Sequence, residues 1–228
     1  MNFMLTRVCR IQSVFTSGRL LYAVANQDIR RHEPASTIWT TAPAMQALEA
    51  LHTRSSVPKL GDPLPDQQVL DNIYKAAFRA ADHGVLRPWR FLLIKGSSRE
   101  RLGELFVRAA EADDPSISIE KKQKLRQKPL RAPLVLVTVA VPKQHPKVPA
   151  FEQDLSAAAA MQSMLIAAFA QGVGAMWRTG AMAYNPLVMK GLGLSENEKI
   201  IGFLYLGTIC GGTKTLNDPK LSDFFQEW

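Results

Sequence analysis

The chain reads as an α+β fold with more helix than strand. Three patterns predict this. Amphipathic stretches of helical period occur at 45–53, 66–81 and 98–111. Short, largely apolar runs lie at 89–95, 132–140 and 199–207, as expected of buried strands. A long Ala- and Met-rich stretch, 152–171, stops at Gly172 and Gly174, the residues that end helices.

Taken in order, Met45, Leu48 and Leu51 share one face of the first helix, which leads into a turn marked by Pro58, Pro63 and Pro65. Asp66 is placed to cap the next helix, whose inner side carries Val69, Leu70, Ile73, Ala76, Ala77 and Ala80. A loop with Asp82, His83 and Arg87 follows. Pro88 biases its predecessor toward extended geometry, and Trp89 to Lys95 reads as a buried strand. Ser98 starts the third helix, a polar helix spans 116–128, and Ala132 to Ala140 is a buried strand. After the Pro-rich loop 142–149 comes helix 152–171, then an extended segment at 175–179. A short helix starts after Asn185-Pro186, and strand 199–207 closes the core. The tail ends in Phe224, Phe225 and Trp228, aromatics that need a surface to dock on.

Composition narrows the function. The 228 residues carry a net charge of +8 with a pI near 9.7. Residues 1–44 contribute Arg7, Arg10, Arg19, Arg30 and Arg31 against only Asp28 and Glu33. The densest basic run elsewhere, Lys121 to Lys128, reads as a solvated helix face. No nucleic-acid motif accompanies the charge, and a moderate positive excess also suits an anionic cofactor. The most apolar stretch, 155–170, is too short and too punctuated to span a bilayer. Cys9 and Cys210 alone provide no disulfide framework, which fits a reducing, cytoplasmic compartment.

Residues 1–44 differ from the rest, lacking clear periodicity and ending in a Ser/Thr/Pro-rich stretch. One reading is an organelle transit peptide, by the arginine-rich, acid-poor start. The other is an upstream extension before a working domain over 45–228 that starts at Met45. The second fits better, because the segment has no clean basic amphipathic face.

The common catalytic signatures are absent. His32, His52, His83 and His145 make no His-x-x-x-His pair, so no metal site is expected. Gly172-Val-Gly174 follows a helix and lacks the third glycine of a dinucleotide fingerprint. No side chain stands out as a nucleophile, so a bound cofactor should carry the chemistry. Cationic groups, hydroxyls and flat apolar walls recur in a few places. Arg54-Ser55-Ser56 offers a guanidinium and two hydroxyls to a phosphate or ribityl chain. Arg79 to Trp89 joins cations to an aromatic. Ala170 to Gly180 ends a helix in small residues and then presents Trp177, Arg178 and Thr179.

These pieces, with Lys147-Val-Pro149 and Gly202-Phe-Leu-Tyr-Leu-Gly207, resemble in order the nitroreductase family of FMN-dependent oxidoreductases, from Met45 to the C-terminus. The resemblance implies an α/β sandwich with a central mixed sheet flanked by helices, and FMN at a homodimer interface. NADH or NADPH would reduce it, and a small-molecule electron acceptor, nitro-aromatic or quinone, would reoxidise it in ping-pong fashion. It also implies that Arg54, Ser55 and Ser56 hold FMN from one subunit while Arg79 and His83 reach it from the other. Trp177, Arg178 and Thr179 would complete the flavin site. Ala167, Ala168, Phe169, Ala170, Gln171 and Gly172 would line the nicotinamide side. One departure is Arg54-Ser55, where a pair of arginines is usual, so phosphate binding would lean on Arg79 and Arg178. Reductive dehalogenation or alkene reduction on the same fold is the nearest rival. A non-catalytic flavin-binding or nucleic-acid-binding protein is a rival of another class.

Overall fold

The computed structural model describes residues 11–16, 19–24, 45–214 and 216–228. Within residues 1–44, β1 (Ile11–Thr16) and β2 (Arg19–Val24) pair antiparallel as a separate two-stranded sheet. The rest of 1–44 lies outside the described residues.

From Met45 the order is α1 (Ala47–Thr53), β3 (Leu60–Gly61), α2 (Gln67–Ala77), β4 (Trp89–Lys95), α3 (Ser98–Asp113), α4 (Ile119–Gln127) and β5 (Leu134–Ala140). Then come α5 (Ala150–Ala170), β6 (Gly174–Arg178), α6 (Ala181–Tyr184), α7 (Pro186–Gly191) and β7 (Lys199–Ile209). Local chemistry accounts for several boundaries. Asp66 accepts a bond from Val69 N at 3.2 Å and caps α2. Asn185 accepts from Leu187 N and Val188 N and caps α7, with Pro186 at its first position. α2 ends four residues before the expected Ala81, because Phe78, Arg79 and Ala80 each bond three residues back and tighten the last turn.

The sheet runs β4-β5-β7-β6, with β3 pairing the end of β7, and every pairing is antiparallel. That corrects the mixed sheet expected. Helices cover both faces. On one, α2 and α5 pack Ile73, Met161 and Met164 against Leu134, Leu136, Leu204 and Leu206. On the other, α3 and α7 pack Leu102, Phe106 and Val188 against Val135, Val137, Phe203 and Tyr205. A register shift between Thr138 and Val139 makes Ile201 the extra residue on β7. The shift returns Ile200 to the Phe203 face, although strict alternation would send it to the other.

β4 is a half-exposed edge strand and not the buried strand expected, since among the described residues it pairs only with β5. Its Arg90 anchors it. The guanidinium donates to both carboxylate oxygens of buried Glu198 at 2.7 Å, and to Gly193 O at 3.1 Å. The Arg90 hydrogen bond, more than any other contact, holds the Glu198 carboxyl below its ordinary range. Its stabilisation is therefore present above the unfolded-state pKa and is lost as pH falls through the lowered folded-state value. Arg90→Ala is expected to cost about 1.5–3 kcal/mol in urea unfolding at neutral pH. The gap from the parent should narrow in acid; a gap independent of pH would refute the pairing.

Candidate functional site

Arg54 closes α1, its N–H donating to Ala50 O, and the chain then turns onto β6 through Val57 N–H to Ala175 O at 3.0 Å. This docks Arg54-Ser55-Ser56 beside the sheet. Ser55 is buried and Ser56 half-buried. The Nη1 of Arg54 is buried without a hydrogen-bond partner among the described residues. A buried guanidinium nitrogen left unpaired is costly, and an anion would satisfy it.

β6 sends alternate side chains to opposite faces of the sheet. Trp177, opposite Leu204, packs with the α2–α5 core, whereas Arg178, opposite Phe203, emerges on the α3 side. The three neighbours expected to act together are therefore split by the pleat. Trp177, Arg178 and exposed Thr179 still line one cavity of about 340 Å³, together with Phe106, Tyr205, Lys128 and Arg131. Three cations and no carboxylate line it. The Arg178 guanidinium lies 5.5 Å from the centre of the Tyr205 ring, and its Nε is buried without a hydrogen-bond partner. Burial, then the nearby Arg131 charge, lowers the Arg178 pKa. Burial, then Arg131 and Arg178, lowers that of Lys128. Burial raises the Tyr205 phenol, against the pull of both arginines. This is a positive pocket whose charges repel one another until an anion enters.

Lys128 and Arg131 were missed from the sequence. Lys128 ends the basic run read as solvated, but the chain turns there into a short 3₁₀ segment, Pro129–Arg131, that leads straight into β5. The one available signal was a charge set directly before a buried strand.

Arg79 and His83 lie elsewhere in the chain. His83 Nδ1 is 2.8 Å from Glu152 Oε2 at the start of α5, and Arg79 is exposed beyond the end of α2. Ala167 to Gly172 sit at the opposite end of α5. There Gln171 bonds Asn72 at 3.0 Å and Ala167 O at 3.0 Å. Most of the 21-residue helix separates the two groups, on the order of 25 Å. One chain does not bring them together. Within the nicotinamide segment Ala168 is fully buried against the sheet, so ligand contact falls to its partly exposed neighbours. Around the same helices Leu48, Leu51, Phe78, Phe151 and Leu155 are all exposed apolar side chains.

The loop from Asp82 to Arg87 is strained. Gly84, Val85 and Arg87 have φ of 74°, 53° and 47°, and a β-branched residue rarely adopts such a value. Asp82 Oδ2 accepts the Arg87 N–H at 2.6 Å, and Lys143 Nζ donates to Leu86 O at 2.6 Å. Among the described residues no His/Cys/Asp/Glu cluster could hold a metal ion, and no helix is long and apolar enough to cross a membrane.

The profile of the nitroreductase family matches residues 51–208, spanning the Arg54 segment, the cationic cavity and most of the sheet. The chain belongs to the nitroreductase family. Relatives agree. The chain is 43% identical over 167 residues to "Putative NAD(P)H nitroreductase YdjA" of Escherichia coli K12, covering 72% of this chain and 88% of that one. It is 35% identical over 165 residues to "Putative NAD(P)H nitroreductase" of Haemophilus influenzae, covering 72% and 89%. Among solved structures, a nitroreductase with bound FMN from Bacteroides fragilis superposes with a TM-score of 0.61 at 22% identity, over 81% of this chain and 99% of that one. As a nitroreductase-family fold, the chain has two helical layers around an antiparallel sheet, with the cationic cavity beside β6.

Proposed function

We propose that this protein is an FMN-dependent NAD(P)H oxidoreductase acting on nitro-aromatic, quinone or similar electrophilic acceptors. The observation that carries the reading is the pair of buried guanidinium nitrogens, Arg54 Nη1 and Arg178 Nε, that have no hydrogen-bond partner among the described residues. Arg178, Lys128 and Arg131 line one cavity and supply charge that a phosphorylated aromatic cofactor requires, and Tyr205, Phe106 and Trp177 supply ring surfaces there. The residues present fit FMN. Relatives named as NAD(P)H nitroreductases and the FMN-bound neighbour support the assignment.

When bound, FMN supplies the hydride and electron transfer between NAD(P)H and the acceptor. In this reading Arg54, Ser55 and Ser56 grip the phosphate. Lys128, Arg131 and Arg178 provide a preorganised positive field that favours an electron-rich ring beside them. Arg79 and His83 reach the cofactor of a second copy, and Ala167, Phe169, Ala170, Gln171 and Gly172 flank the donor. The exposed apolar side chains on α1, α2 and α5 would be buried in that homodimer. The presence of only two cysteines supports a reducing, cytoplasmic setting.

The purified full chain should be a yellow dimer that bleaches with NADPH or NADH and recovers its colour on adding a quinone. The cofactor released should run as FMN, the group bound in the Bacteroides fragilis neighbour. A version limited to residues 45–228 is expected to keep the same flavin content. A colourless protein that takes up no added FMN, or a flavin that NAD(P)H does not bleach, would reject the reading.

A further inference from the structure

The strained loop and its neighbour carry an inference of their own. Two loops are locked together at the start of α5. Gln153, 1% exposed, bonds Lys143 N, Lys143 O and Val148 O, fixing the loop from Lys143 to Val148. His145 Nδ1 accepts the N–H groups of Lys147 and Val148, tightening the same loop. Lys143 Nζ then reaches Leu86 O, and His83 pairs with Glu152, so the two loops are tied to each other and to α5. The tip these loops present is apolar and cationic. Val85 is 72% exposed, Arg87 is exposed without a side-chain partner among the described residues, and Lys143 adjoins it through Leu86. Val85 and Arg87 both hold left-handed backbone that neither side chain favours. Backbone strain held by so many surrounding bonds is found at binding sites. The carboxylates of Asp82 and Glu152 each have a partner among these elements, the Arg87 N–H and His83.

We propose that Val85, Arg87 and Lys143 form a docking subsite for a substrate that carries an anionic group beside a flat ring. It rests on the reading that His83 reaches a partner's flavin, since Val85 and Arg87 then stand at the mouth of that site. Val85 packs against the ring, while Arg87 and Lys143 take the anion. The anion is a phosphate of the nicotinamide donor or a carboxylate on the acceptor, and two probes separate these sources.

The test is calorimetric titration of the full-length protein with 2′,5′-ADP and, separately, with 4-nitrobenzoate, using neutral nitrobenzene as control. At least one anion should bind, more weakly as salt rises. Arg87→Gln should weaken that anion about fivefold or more and leave nitrobenzene unchanged, and Arg87→Lys should restore most of the loss. Val85→Gly relieves the left-handed backbone and should melt no lower than the parent while binding the ring-bearing probe less tightly. A loss confined to 2′,5′-ADP assigns the subsite to the donor, and one confined to 4-nitrobenzoate to the acceptor. Failure of both anions to bind, equal losses for charged and neutral probes, or an Arg87→Gln protein that sheds its FMN would each overturn the proposal. None of these readouts needs turnover. A flavin that NAD(P)H does not bleach would thus count against the proposed function and not against the subsite.

Discussion

Arg178→Ala is expected to lower turnover on the order of a hundredfold even when excess FMN restores full occupancy. The Arg178 guanidinium lines the cationic cavity with Lys128 and Arg131, over Tyr205, where its charge acts on whatever ring occupies the space. Removing it deletes one of three convergent charges and opens the buried face of Tyr205. Arg54→Ala provides the contrast. Its guanidinium sits in a segment with two hydroxyls, a setting for a phosphate remote from hydride transfer. Both substitutions should weaken FMN binding roughly ten- to a hundredfold, the worth of a charge-assisted hydrogen bond. With FMN in excess, Arg54→Ala should recover most of its rate. Equal recovery of both variants in steady-state assays would reduce Arg178 to another phosphate ligand.

Gly202→Ala is expected to be the most damaging single methyl addition near the site. Gly202 lies on β7 opposite Thr138, on the face shared by Leu204 and Leu206. A Cβ there would fall on the Trp177 indole nitrogen and 3.1 Å from Arg178 O. The indole is rigid and already packed against the α5 core, so relief requires β6 to shift away from β7. Overpacking of this kind costs about 1–3 kcal/mol. Because β6 also carries the Arg178 side chain, FMN affinity should fall together with the urea midpoint. A variant with unchanged stability and normal flavin content would show that Trp177 moves freely and that β6 does not set the site.

Much of the fold was legible because local chemistry and long-range packing agree. The largely apolar run ending at Ala140 became a fully buried strand, and Asp66 and Asn185 cap helices where their side chains can reach free N–H groups. Arg54-Ser55-Ser56 was legible as a guanidinium with two hydroxyls, and Arg178 as a cation presented beside Trp177 and Thr179. Other features depended on contacts between distant residues. β4 has the apolar composition of a central strand but lies at the edge, which only strand order decides. The two-residue β3 has no signal of its own and exists because β7 offers it partners at Thr208 and Ile209. Lys128 looked like one charge in a solvated run until the turn into β5 placed it beside Arg131 and Arg178.

The sequence by itself determined the element order, the Asp66 cap, the inward faces of the helices and the stock of candidate cations. These follow from periodicity, backbone preference and side-chain chemistry, which act over a few residues. Tertiary structure decided which of those cations meet. The pleat of β6 separates Trp177 from Arg178, and the 138/139 register shift sets which face of the sheet Ile200 joins. The length of α5 holds His83 far from Gln171. Strand pairing and helix packing join positions many tens of residues apart, and no local pattern encodes which face or which end of an element a partner will occupy.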